Sequence, residues 1–118
     1  MRIFKEYSGN DVLTNAVESG AISYWAEIED LKRDEELNVV SLTICECDID
    51  GNAEPNGVRK TLTSKEIDEA RMRIICEGGT STLEINKQIC MDVDQENNDA
   101  NTDDCIVQIA MFGEIVYG

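Results

Sequence analysis

The chain contains no histidine, a single proline, a single tryptophan and only ten basic side chains, and each shortage closes off a class of function. Without imidazole, a cysteine nucleophile lacks its usual activating base, and a structural zinc site has little beyond thiolates to draw on. Ten lysines and arginines stand against 25 acids, a formal charge of −15. The overall basic footprint of a phosphate-backbone binder is therefore missing. Charge of this sign repels nucleic acid and anionic membranes at long range. No apolar run approaches the ~18 residues that span a bilayer, and no charged-then-apolar leader opens the chain. The expectation is a protein that is neither exported nor membrane-spanning.

What is present points to a folded domain. Hydrophobic residues make up 42% of 118 positions, too many for a disordered acidic tail, and the length fits a single globular domain over residues 1–118. Five cysteines, Cys45, Cys47, Cys76, Cys90 and Cys105, are odd in number and flanked by apolar residues. That pattern fits buried, reduced thiols in a cytosol. Cys45 and Cys47 share one face of a strand, too closely spaced for a zinc knuckle.

Periodicity divides the chain into alternating elements. Residues 1–7 alternate weakly, as a short strand does. Asp11 reads as a helix N-cap, with Val12, Leu13, Ala16 and Val17 on one stripe and Gly20 ending it. Residues 21–29 alternate Ile22, Tyr24, Ala26 and Ile28 against Ser23, Trp25 and Glu27, which predicts a strand. Residues 37–48 repeat the pattern with apolar groups on both faces, as in a central strand covered by helices. Turn chemistry fills residues 48–57, and residues 58–62 return as a third antiparallel strand. Thr63-Ser64-Lys65-Glu66 forms a capping box. The helix it opens buries Ile67, Ala70, Ile74 and Ile75 and stops at Gly78-Gly79. Residues 81–93 read as a further helix, with Ile85, Ile89 and Val93 spaced by four. After an acidic, Asn-rich loop over residues 94–101, Thr102 reads as the next cap and residues 105–112 as a buried helix. The predicted class is α+β, a three-stranded antiparallel sheet packed with three to four helices.

Charge is distributed unevenly. No base follows Lys87, whereas Asp92, Asp94, Glu96, Asp99, Asp103, Asp104 and Glu114 do. A second block holds Glu27, Glu29, Asp30, Asp34, Glu35 and Glu36 against Lys32 and Arg33, and a third holds Glu46, Asp48, Asp50 and Glu54 without a base. Acids clustered on a small scaffold can mimic the phosphates of a duplex and occupy a partner's nucleic-acid channel. A solvated surface kept for solubility is the plainer reading. Candidate contacts are Glu27, Glu29, Asp30, Asp34, Glu35, Glu36, Asp92, Asp94, Glu96 and Asp99. Conversely, Arg59, Lys60, Lys65, Arg71 and Arg73 outnumber Glu66, Asp68 and Glu69. With Thr63 at a helix start they offer an anion site for a small phosphate-bearing ligand. Ordinary ion pairing within the island competes with that reading.

Other motifs fall short. Asp92, Asp94, Glu96, Asn98 and Asp103 follow a calcium-loop register, but Asn97 stands where glycine is needed and Asp103 where a longer glutamate is. No metal or cofactor is expected. Nothing Gly-rich resembles a P-loop, acids are abundant without being placed for acid–base work, and Tyr24 and Trp25 fit a core or interface. The chain reads as a binding protein and not as an enzyme.

Two stretches, residues 11–27 with Gly20 followed by Tyr24-Trp25, and residues 106–118 ending Phe112-Gly113-Glu114-Ile115-Val116-Tyr117-Gly118, resemble a family of small uncharacterised bacteriophage proteins. That family has a Gly-Gly-x-x-Tyr-Trp element; here Ser19-Gly20 stands where two glycines are expected, with three residues instead of two before Tyr24-Trp25. The resemblance implies a phage origin and a host-cytoplasm location. By analogy it favours an accessory protein that counteracts host defence by binding a host nuclease or effector complex, without contacting nucleic acid directly or a membrane. The alternatives are a homo-oligomeric sponge that sequesters a small nucleotide signal, and a structural or assembly role in the virion.

Overall fold

Ser8 accepts a hydrogen bond on its hydroxyl from the Asp11 amide at 3.1 Å, and Asp11 reciprocates on the Ser8 amide at 2.8 Å. This capping box opens α1 (Gly9–Glu18), so Asp11 completes the cap from the third helical position instead of being the cap. A computed structural model describes residues 2–48 and 50–118, and α1 is its first regular element. Met1, within the strand expected over residues 1–7, and Ile49, within the turn over residues 48–57, lie outside the described residues. Residues 2–7 form no strand. They are pinned individually: Glu96 accepts from the Glu6 and Tyr7 amides, and Arg71 donates to the Tyr7 carbonyl at 2.6 Å.

The helix ends at Ser19, and Gly20 turns the chain with φ +72°, a conformation that favours glycine. The chain then makes one helical turn instead of the strand predicted from residue 21. The Trp25 and Ala26 amides both donate to the Ile22 carbonyl. Ile22 and Trp25, three apart, are both fully buried while Tyr24 is half exposed; a period of three has won over the apparent period of two.

The sheet is antiparallel, in the order β1 (Ala26–Arg33), β2 (Val39–Glu46), β3 (Arg59–Leu62). Glu29 on β1 and Val40 on β2 have no register partner, marking two bulges. Leu42, Ile44 and Leu62 turn into the core. On the opposite face Thr43 and Thr61 exchange a hydroxyl hydrogen bond at 2.8 Å in solvent. The helices thus cover one face only, not both as the apolar pattern of residues 37–48 predicts. Cys45 stays buried on the open face, close to Arg59 and Glu29.

The capping box at Thr63 forms as predicted and starts α2 (Ser64–Glu77), which stops at Gly78. The next helix begins later than residue 81: Asn86 caps it through the Gln88 amide at 2.7 Å, leaving α3 (Lys87–Asp94). The preceding residues instead fold back, with Leu83 bridging Gly78. Asp99, not Thr102, caps α4 (Ala100–Phe112), accepting from both the Thr102 amide (2.8 Å) and its hydroxyl (2.9 Å). Helix α4 packs against α1, α2, α3 and β3, and Ile106, Val107, Ile109 and Met111 are buried in the shared core. No helix among the described residues is long and apolar enough to cross a membrane.

Candidate functional site

Strand β1 lies at one edge of the sheet. From Glu27 to Asp30 every residue is exposed, as are Asp34, Glu35 and Glu36 in the turn that follows. A strand rises ~3.3 Å per residue, so Glu27, Glu29 and Asp30 place three carboxylates within about 10 Å. One strand of a duplex carries one charge per ~3.4 Å of axis, so the two linear charge densities are of the same order. Asp34 ties the turn together: one of its oxygens accepts from the Glu36 amide (2.9 Å) and the Asn38 amide (3.0 Å), leaving the second toward solvent. The bases in this stretch do not neutralise it evenly. Arg33 turns to Glu18 and the Leu37 carbonyl, whereas Arg59 makes a two-pronged pair with Glu29 at 2.5 and 2.7 Å. That pair holds the Glu29 carboxyl below its ordinary range.

The second acidic group is engaged by hydrogen bonds within the chain, although Asp94 and Asp99 remain exposed. Asp92 accepts from Gln88, Asp94 from Arg2 at 2.6 Å and Asp99 from the start of α4. Glu96, at φ +54°, accepts from two backbone amides near the N-terminus. Helix α3, which carries Asp92 and Asp94, packs on α2 and α4, whereas β1 packs on β2. The two acidic blocks therefore belong to separate parts of the surface. The calcium register is broken as well. Asp103 lies inside α4, where it accepts from Tyr7 (2.7 Å), Asn15 (2.6 Å) and Asn98 (2.8 Å). Burial pushes its carboxyl above the usual aspartate range, against the pull of those hydrogen bonds.

Comparison with protein-family models, curated proteins and solved structures yields no match.

Of the basic island, Lys60 and Arg73 line one small cleft of about 200 Å³, together with Glu66 and Glu69; Arg59, Lys65 and Arg71 lie outside it. Arg59 pairs with Glu29. Lys60 donates to the Ala110 carbonyl at 3.1 Å. Thr63 is committed to its cap, and Lys65 is exposed. Arg73 bonds Glu77 at 2.8 Å and the Gly113 carbonyl. Arg71 is fully buried, bonding Asp68 (2.7 Å) and the Tyr7 carbonyl, with its guanidinium 3.8 Å from the Phe4 ring centroid.

Two features escape a reading by sequence. One is a buried polar network: Asp104 accepts from Trp25 Nε1 (2.7 Å), Tyr24 Oη (2.6 Å) and Gln108 Nε2 (3.1 Å). Tyr117 stacks on Trp25, with centroids 5.8 Å apart. Asp103 and Asp104 therefore count toward the formal charge but not toward the surface. The only sequence signal for this was their position on the apolar α4. The other feature is a groove of about 280 Å³ between the end of α1, the turn after it and the start of β1. Ala16, Val17, Ile22, Ile28 and Cys47 line it, with Glu27 at its rim. It arises where segments far apart in sequence meet, and local patterning carries no trace of it. The thiols also depart from uniform burial: Cys76 is exposed, and Cys90 and Cys105 are half-buried.

Proposed function

We propose that this chain acts by binding and not by catalysis: the acidic edge of its sheet occupies the basic, nucleic-acid-handling surface of a host complex. In this reading it is a bacteriophage accessory protein that counteracts host defence in the host cytoplasm. The observation that carries the reading is the contrast between the two acidic blocks. Glu27, Asp30, Glu35 and Glu36 stand exposed along one edge, while Asp94, Glu96 and Asp99, of which Asp94 and Asp99 are exposed too, already accept hydrogen bonds from Arg2, two backbone amides and Thr102. A solubilising charge needs no such local concentration; a recognised one does. The contact set is therefore narrower than composition alone indicates, and it centres on β1 and its turn. The anion-sponge alternative loses ground because Arg59, Arg71 and Arg73 already satisfy carboxylates or carbonyls.

The test is capture from host lysate on immobilised protein, eluted with a salt gradient. Partners should leave well before ~1 M salt, where the screening length falls to about 3 Å. The triple reversal Asp34→Lys, Glu35→Lys and Glu36→Lys should capture nothing. Capture that survives both treatments refutes the reading. A nucleotide found in the native mass spectrum of protein purified from infected cells would instead favour the sponge, and recovery in purified particles would favour the virion role.

A further inference from the structure

The groove beside β1 combines an apolar lining with an acidic rim. Its volume, about 280 Å³, is that of roughly nine liquid waters, room for one large side chain. Glu27 lines it directly, and Gly51, on the opposite wall, belongs to the turn bearing Asp48, Asp50 and Glu54. Cys47 is also in the lining. Its thiol is pushed up by burial first, then by Cys45, Glu27, Asp48 and Glu54. No lysine or arginine lines the groove among the described residues. Ile28, on the same wall, is an exposed apolar side chain within an otherwise charged edge.

We propose that this groove is a docking site for an extended basic segment of a partner protein. One apolar side chain of that segment enters the groove while flanking lysines or arginines meet Glu27, Asp48, Asp50 and Glu54. Charge selects this occupant. A second copy of the chain carries −15 and is repelled, as are nucleic acid and anionic lipid. The apolar lining supplies what an acidic surface alone does not: a fixed register, with one anchor buried and the charges set around it. The inference names the partner chemistry for the binding function above and rests on that reading.

The test uses two fluorescein-labelled nonapeptides, each with four alternating lysines and arginines on either side of a central residue, leucine in one and serine in the other. Binding is followed by anisotropy as salt is varied. The leucine peptide should bind roughly tenfold more tightly. Ser23→Trp fills the groove from an exposed lining position and should erase that difference while leaving the serine peptide's affinity and salt dependence unchanged. Val17→Phe fills it from the opposite side, should Ser23→Trp fail a thermal-unfolding check. Equal affinity for both peptides, with salt sensitivity intact, overturns the groove and leaves the acidic edge standing. Salt-insensitive binding, or no binding of either peptide, overturns both.

Discussion

Replacing Gln108 with alanine should release the chain after α4 and unseat the aromatic stack it carries. Gln108 is fully buried. Its Oε1 accepts from the Val116 and Tyr117 amides at 2.9 and 2.8 Å, and its Nε2 donates to the Tyr117 carbonyl at 2.9 Å and to Asp104 at 3.1 Å. Each such bond contributes ~0.5–1.5 kcal/mol net, so losing four costs about 2–6 kcal/mol. That is a large share of the ~5–15 kcal/mol that a typical domain holds in reserve. Urea unfolding gives the readout: with a slope of ~1–3 kcal/mol per molar, the midpoint should fall by at least ~0.7 M. Trp25 is the only tryptophan, and Tyr117 lies nearly parallel to it, with an interplanar angle of 6°. The variant's folded-state emission should therefore shift to the red as the stack opens. A midpoint within ~0.3 M of the parent, with emission unmoved, would show that Gln108 does not hold the tail.

Asp99→Ala removes the α4 cap and should cost about 1 kcal/mol at neutral pH. The Thr102 amide, and then its hydroxyl, hold the Asp99 carboxyl below its ordinary value. The cap's charge-dependent share is thus complete above the unfolded pKa and fades as pH falls through the lower folded one, so the penalty should shrink on acid titration below about pH 4. Gly78→Ala should cost ~1–3 kcal/mol by thermal unfolding, because an added Cβ would lie 2.5 Å from Cys90 Sγ and also strike the Ile74 carbonyl. Thiol titration under native conditions should show one fast group, Cys76; Cys105, pushed up to about 11 by burial and the nearby Asp104, should react slowly. Two fast groups would contradict the packing.

The elements legible in the sequence were those governed by local chemistry. Thr63 and Glu66 announce α2 because a capping box is complete within four residues, and three strands follow from alternation and turn residues. The misplaced boundaries share a cause. Serine, aspartate and asparagine are near-equivalent as caps, so Ser8 could displace Asp11, Asp99 could displace Thr102, and Asn86 could break the spacing of Ile85 and Ile89. The turn at residues 22–26 was hidden because Ile22, Tyr24, Ala26 and Ile28 alternate by coincidence, while burial follows Ile22 and Trp25. As for the site, composition located the acidic blocks but not their fates. Whether a carboxylate faces water, as Glu35 does, or a backbone amide, as Glu96 does, is decided by contacts some 90 positions away.

Those distant contacts also set a timetable for synthesis. Trp25 finds its carboxylate partner, Asp104, 79 positions later, and Tyr7 finds Asp103 after 96. On a ribosome adding about 5–20 residues per second, the indole waits roughly 4–16 s for that partner to be made. During that interval Trp25, at the entrance to the β1–β2 hairpin, has no helix α4 to bond it, and the like charges along the hairpin's outer strand are what discourage neighbouring nascent chains from pairing with it.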